Sequence, residues 1–287
     1  MWSDPRPSPQ DVRCYYSHDY RLNYKGAYRP KPRHIYRAGR VAIDRFRTLR
    51  RVLRAGCRVF DVGAGSGEVV YILRAMDYDA SGLEPNEGYA RFASEVLGLP
   101  VRHGFYQDAH IPQASQDVVT MYHVVEHLES PQDAVRRVRL WLKPGGVLLV
   151  EVPNVEAMCQ RPRSRFHRAH LYNFNPATLE MLGRRAGLSV VSSQVSSDGG
   201  NVTVIFRSLD ATPPASAEVP GNYERVSYVI RRHTPLRHLL SPHPYVRPMR
   251  KIVARIDEWR HARAACSSKA ILDRLISHEL SSTDWSD

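Results

Sequence analysis

The stretch VFDVGAGSGEVV, residues 59–70, constrains the fold more than any other part of the chain. An apolar run leads into Asp61, and Gly63, Gly65 and Gly67 follow two apart before a second apolar run. Glycine enters left-handed backbone without steric cost, so this spacing predicts a tight turn between a buried strand and a helix. A phosphate-binding P-loop needs Lys and then Ser or Thr after its last glycine, whereas Gly67 is followed by Glu68 and Val69. That class is excluded.

A dinucleotide site would be spaced G-x-G-x-x-G, with a pyrophosphate on the helix N-terminus. Here the spacing is G-x-G-x-G, and Asp61 and Glu68 bracket the turn. Carboxylates there repel a pyrophosphate but suit a ligand bearing an ammonium and a sulfonium. Downstream, Glu84 closes the run SGLEP. An acid at that position accepts hydrogen bonds from both ribose hydroxyls. A ribose, a cationic tail and no phosphate describe S-adenosyl-L-methionine.

Strand and helix patterns alternate from residue 58 to 208. Arg58–Val62, Ala80–Leu83, Val101–His103, Asp117–Tyr122, VLLVEV (147–152), LSVVSSQV and NVTVIFRS read as seven strands. Pro85 is expected to open a helix, and Ser130-Pro131 with Asp133 to cap another in a capping-box-like start. That helix is expected to stop at Lys143-Pro144-Gly145-Gly146. Asn175-Pro176 opens a further capped helix, and the last two strands form a hairpin around Asp198-Gly199-Gly200. The class expected is α/β: a Rossmann-like, doubly wound, mostly parallel seven-stranded sheet with an antiparallel edge strand.

Before this domain, residues 1–32 are rich in Pro, Tyr and Arg and read as irregular, and 35–54 read as a helix stopped by Gly56. After it, 246–280 form one long amphipathic pattern. The divisions expected are 1–55, a basic arm and helix acting as a lid; 56–208, the cofactor-binding domain; 209–222, a linker; and 223–287, a helical extension.

Charge separates the same regions. Residues 1–55 carry 14 Lys and Arg against 4 Asp and Glu, whereas 56–208 carry 15 against 16. A basic arm attracts phosphates, nucleic acid or acidic headgroups, or serves as a solvated segment. The four cysteines form no C-x-x-C, no apolar run reaches 18 residues, and the first residues contain no apolar leader core. These features point to a cytoplasmic chain without a transmembrane segment.

From about residue 57 to 207 the chain resembles the class I S-adenosylmethionine-dependent methyltransferases. The resemblance rests on VFDVGAGSG, GLEP, YQDAHIPQASQDVV, YHVVEHLESPQDAVRRVRLWLKPGGVLLVEVPN and HLYNFNPATLEMLGRRAGL. It implies that Asp61, Gly63 and Gly65 pass under the methionine portion, that Glu84 holds the ribose, and that Asp108, with Gln107 beside it, meets the adenine amine. Ala64, Pro85 and Tyr122 are expected to line the same cofactor.

On the acceptor side, His123, Glu126 and His127 fall at helical spacing, and His170 stands in a loop after strand five. Three readings stay open: a base or acceptor contact, local packing and capping, and a metal set of His123, Glu126, His127 and His170. Relatives in ubiquinone biosynthesis and small-RNA 2′-O-methylation hold a divalent metal through Glu-x-x-Glu-His, and this chain has His123 where they have the first Glu. The base is assigned to His123, with His127 or His170 as alternates, and no metal is assigned. Arg161, Arg163, Arg165 and Arg168, with Tyr20 and Tyr24 of the arm, are expected to meet an anionic small-molecule, sugar or glycan-type acceptor that is O-methylated by in-line transfer. The alternatives are an RNA methyltransferase, since base stacking suits the tyrosines, and a non-catalytic methyltransferase-like binding protein. The C-terminal helix offers a surface for a homodimer.

Overall fold

In the computed structural model, described residues are 8–15, 17, 29–167, 169–209, 216, 218–264 and 266–282. Tyr16, Tyr20, Tyr24, Tyr28 and Arg168 lie outside them, as do residues 210–215 and 217 of the linker. The chain divides into two compact units, one of Pro7–His110 with Val253–Asp287, the other of Met1–Arg6 with Ile111–Ile252.

Seven strands form one mixed sheet, in the order β3-β2-β1-β4-β5-β7-β6. They are β1 (Arg58–Val62), β2 (Asp79–Glu84), β3 (Val101–His103), β4 (Gln116–Tyr122), β5 (Leu142–Pro153), β6 (Leu188–Val195) and β7 (Asn201–Ser208). The β1–β2, β2–β3 and β4–β5 pairs are parallel, and the closing hairpin adds β7 antiparallel to both β5 and β6.

In the first unit, α1 (Pro9–Cys14) forms inside the arm read as irregular. Its signal is local: Ser8 caps the helix, Pro9 takes the first position, and Asp11 completes a capping box. Next, α2 (Pro32–Leu49) ends earlier than its apolar pattern suggested, because Val52 and Leu53 turn back onto the Leu49 carbonyl at 2.9 and 3.1 Å. Gly56, at φ 72°, turns the chain into β1 rather than ending the helix. After α3 (Glu68–Ala75) and β2, α4 (Glu87–Arg91) begins one residue beyond Asn86, whose Oδ1 accepts the Tyr89 N–H, so Pro85 stands outside the helix.

The second unit carries α5 (Pro131–Trp141), α6 (Pro176–Arg185), α7 (Asn222–Arg232) and α8 (Pro235–Leu239). The capping box at α5 does not form: Ser130 Oγ donates to the Asp133 carboxylate at 2.5 Å and leaves the backbone uncapped. Strand β5 also starts before its apolar run. Lys143-Pro144-Gly145-Gly146 are part of it, with Lys143 Nζ on both Asp117 oxygens at 2.8 Å. Gly146 permits this, since a Cβ there would meet the Lys143 carbonyl at 2.9 Å and the Asp117 carbonyl at 3.2 Å.

The long C-terminal pattern is two helices, α9 (His243–Ala264) and α10 (Ser268–Ser282). Their apolar residues have opposite fates. Ile271, Leu272 and Ile276 of α10 are buried, and Gly39 of α2 lets Leu272 and Leu275 approach to within 2.8 Å of its Cβ position. Met249, Ile252, Val253 and Ile256 of α9 are exposed. Fork-like ion pairs join α2 to both helices: Arg37 to Glu258, with both contacts at 2.6 Å, and Arg47 to Glu279 at 2.8 and 2.6 Å.

A Cβ at Gly183 of α6 would lie 2.1 Å from the buried Phe206 ring of β7. Alanine gains about 1 kcal/mol in helix propensity, but overpacking a rigid ring costs about 1–3 kcal/mol. Gly183→Ala is therefore expected to lower the denaturation midpoint; an unchanged or raised midpoint would show that α6 and β7 are not packed this closely.

Candidate functional site

The glycine turn folds as its sequence requires. Gly63, Gly65 and Gly67 adopt φ of 77°, 60° and 89°. The N–H groups of Gly63 and Ala64 donate to the Leu83 carbonyl of β2 at 2.7 and 2.9 Å. Gly65 N–H donates instead to Glu84 Oε2 at 2.8 Å, while Asn86 N–H takes Glu84 Oε1 at 3.1 Å. The buried Glu84 carboxylate thus braces the turn through one oxygen and the start of α4 through the other. Gly82 lets the turn approach this closely, since a Cβ there would meet Ala64 Cβ at 2.9 Å and the Asp61 carbonyl at 3.0 Å. Asp61 and Glu68 are buried too, and Ser66 Oγ donates to Glu68 at 2.5 Å.

The residues expected around an adenine follow β3. Asp108 is largely exposed and held by Arg13 of α1, at 3.0 and 3.4 Å. The Arg13 guanidinium also lies 5.0 Å from the Phe105 ring centroid. Gln107 differs: its Oε1 is buried and has no hydrogen-bond partner among the described residues. A buried carbonyl oxygen without a donor is costly and fits an incoming amine. The arm reaches the other end of this cradle as well, where Asn86 Nδ2 donates to the Ser17 carbonyl at 2.9 Å. These residues fit S-adenosyl-L-methionine: acids for its cationic tail and ribose, an orphaned acceptor for its amine, and no cationic phosphate clamp in the turn. Pro85, whose carbonyl meets His103 Nε2 at 3.1 Å, follows Glu84 directly. Tyr122 belongs to the other unit, where it is buried at the end of β4.

The other unit gathers the histidines. His123, just past β4, sits at φ 54°, a left-handed conformation uncommon for a residue with a side chain. Its N–H donates to the Glu151 carbonyl at 2.8 Å. Its ring bridges two carboxylates, with Nδ1 3.2 Å from Glu126 Oε1 and Nε2 3.3 Å from Glu151 Oε1. Burial pulls its pKa down, but the hydrogen bonds to Glu126 and Glu151 outweigh this and push it up to about 9. At neutral pH His123 is an imidazolium with both nitrogens engaged.

His127 has the opposite character. Burial holds its pKa below the usual value despite the attraction of Glu126. Its Nδ1 lies 2.8 Å from the Ala169 carbonyl, which only an N–H can satisfy, so its lone pair is on Nε2. That nitrogen is 3.7 Å from Glu126 Oε1. Burial, and then His127, lower the His170 pKa to about 4. Donor atoms of Glu126, His127 and His170 all lie within 4.8 Å of one another, and Glu126 Oε2 is buried without a hydrogen-bond partner among the described residues. Three electron-rich donors converging without a proton among them can take up a proton or hold a divalent cation. His123 is not part of that set.

Glu151 escaped the sequence reading. Its only signal was a single acid inside the apolar strand VLLVEV. The arginines of the loop after β5 also separate. Arg161 and Arg163 are exposed, whereas Arg165 turns inward to the Val155 carbonyl and His233 Nδ1. From there His233 Nε2 meets His238 Nδ1 at 3.2 Å, which ties the loop to α7 and α8.

The raised pKa of His123 has a thermodynamic consequence. Its folded value of about 9 exceeds the ordinary 6.5, so its contribution to stability is full below about pH 6.5 and is lost as pH rises through about 9. The stability difference between the wild type and His123→Asn is expected to shrink across that window in urea titrations; a difference independent of pH would contradict the double ion pair.

Residues 33–193, more than half of the chain, match the family model described as a methyltransferase domain. A "Probable S-adenosylmethionine-dependent methyltransferase" of Mycolicibacterium smegmatis is 30% identical over 137 residues, covering 47% of this chain and 53% of that protein. The ubiquinone biosynthesis O-methyltransferase of Roseobacter denitrificans is 33% identical over 104 residues, covering 34% and 42%. The chain spans about half the length, or less, of the curated relatives it matches. Among solved structures, a chain of the complex between the Haloferax volcanii Trm112 methyltransferase activator and a methyltransferase aligns with a TM-score of 0.53 at 18% identity, over 61% of this chain and 95% of that one. The cyclase SpnF aligns with a TM-score of 0.51 at 18% identity, over 61% and 82%. At that identity the two structures establish the fold alone. On the match over residues 33–193, the chain belongs to the methyltransferase-domain family, whose cofactor is S-adenosyl-L-methionine.

Proposed function

We propose that the protein transfers the methyl group of S-adenosyl-L-methionine to a hydroxyl of an anionic small-molecule or sugar-type acceptor. The observation that carries the catalytic part is the converging set of Glu126, His127 and His170. Transfer is an in-line displacement at a sulfonium carbon, and most of the acceleration comes from positioning the hydroxyl. What the chain must add is a base. The Nε2 lone pair of His127 serves, and the adjacent Glu126 stabilises the imidazolium that forms. His123 takes a different part from the one expected of it: as an imidazolium it holds Glu126 and Glu151 in place.

The cofactor lies on the glycine turn, with Asp61, Gly63, Ala64 and Gly65 under its methionine portion and Glu84 at the ribose. Pro85 lines it, and Gln107 and Asp108 receive the adenine. The Tyr-rich arm, with Tyr20 and Tyr24, acts as a lid over cofactor and acceptor. Arg161 and Arg163 supply charge for an anionic acceptor, with Arg168 of the same loop. Arg165 supports that loop from within.

A second reading is favoured by the orphaned Glu126 Oε2. A divalent cation would be held by Glu126, His127 and His170 and would acidify the acceptor hydroxyl. Methyl-labelled cofactor incubated with fractionated cell extract identifies the acceptor pool. On that pool His127→Ala is expected to lower kcat by about 100-fold or more, with cofactor affinity nearly unchanged. Glu84→Ala should weaken cofactor binding, read by calorimetry, by about 1–3 kcal/mol. Activity indifferent to chelators supports the base; activity abolished by a chelator and restored by a divalent ion transfers the role to a metal. Unchanged cofactor affinity in Glu84→Ala would overturn the cofactor assignment.

A further inference from the structure

Between Glu224 and Asp257 the sequence contains no acid and eight cations. That stretch holds most of α7, all of α8 and the first part of α9. Arg225 pairs with Glu156, and Arg247 donates to the Cys159 carbonyl. Arg231, Arg237, Arg250 and Lys251 are exposed and make no ion pair among the described residues.

Large apolar side chains are exposed among these cations. Leu236, Leu239 and Leu240 follow one another at helical spacing on and just beyond α8, and Tyr245, Met249 and Ile252 do so on α9. Leu240 is 80% exposed and Met249 68%. The Tyr245 hydroxyl donates to the Leu239 carbonyl at 3.0 Å, which brings the start of α9 against the end of α8 and makes the two rows neighbours. Scattered exposed leucines are ordinary, but two adjoining rows of three large apolar groups mark an interaction surface.

We propose that this surface docks on an anionic lipid bilayer. The charge selects the partner: Arg231, Arg237, Arg250 and Lys251 make no ion pair among the described residues, and each Lys or Arg near the surface is attracted to a negatively charged leaflet by about a factor of five. The apolar rows select against nucleic acid, whose phosphates would pair the arginines and leave leucine and methionine in water. They suit the headgroup–acyl boundary, where apolar residues insert while Lys and Arg stay at the headgroups. No described helix is long and apolar enough to cross a membrane, so the contact is peripheral. The same surface is tied to the loop after β5 by Arg165, His233 and His238, and by Arg247. Docking therefore carries Arg161 and Arg163 toward the headgroups. The proposal does not depend on methyl transfer, and its test does not use activity.

The full chain is sedimented with vesicles of phosphatidylcholine alone and with vesicles containing roughly one-third phosphatidylglycerol. Two variants are compared, Leu239→Ser/Leu240→Ser/Met249→Ser and Arg237→Glu/Arg250→Glu/Lys251→Glu, both at exposed positions. Their thermal melts and calorimetric cofactor affinity are expected to match the wild type. The protein should pellet with the anionic vesicles only, high salt should release it, and each variant should lose at least about tenfold in partitioning. Equal binding to both vesicle types, no binding, or a serine variant that binds as the wild type does would overturn the proposal. So would a wild-type dimer in sedimentation velocity that the serine variant converts to monomer, which would assign the surface to a second copy. Single-stranded RNA binding that the glutamate variant loses and the serine variant keeps, without vesicle binding, would overturn it in favour of nucleic acid.

Discussion

Two carboxylates, Glu126 and Glu151, meet one imidazole, that of His123, and the chemistry of the region depends on its charge. Two carboxylates converging on one point repel, and burial penalises the charge on Glu126; a proton on His123 between them offsets both. The cost is visible in the backbone, where His123 takes a left-handed conformation so that its ring reaches both partners. The short turn of Val125–His127 then places Glu126 and His127 side by side. Because His123 carries the positive charge, His127 and His170 can stay neutral, each with a lone pair to offer. Charge on one histidine and its absence on the next two are thus a single arrangement.

A comparable economy governs the cofactor half. Glu84 is fixed by two backbone N–H groups before any ligand arrives, one from the turn and one from the start of α4. An acid held in this way is preorganised, so binding a ribose need not order it. In the proposed cofactor site this couples affinity to the shape of the turn, because loss of Glu84 also frees the Gly65 N–H.

Much of this was legible in the chain. Gly63, Gly65 and Gly67 announced a left-handed turn, and the spacing from Asp61 to Glu84 placed the second acid at the end of β2, where the structure has it. Alternating patterns gave seven strands and the closing hairpin. What stayed hidden depended on partners distant in sequence. Nothing near His123 reveals that Glu151 lies against its other nitrogen, so its protonation could not be read from spacing. Arg165 read as one of four equivalent loop arginines until His233, far along the chain, proved to be its partner. Residues 246–280 looked like one amphipathic helix because periodicity reports a stripe but not what covers it; α10 is covered by α2, and the apolar residues of α9 remain exposed. The short α1 shows the reverse case, where a legible cap at Ser8 was outweighed by the Pro- and Tyr-rich composition around it.

One histidine, His123, is charged so that His127 and His170 need not be. The most direct test of this is an NMR titration of the imidazole signals in the full chain, with His123, His127 and His170 assigned by single His→Gln variants. His123 is expected to titrate near pH 9 and His170 near pH 4, with His127 below the ordinary 6.5. If His123 titrated near 6.5 while His127 stayed protonated above it, the charge would belong to His127, and the assignment of the base would be contradicted.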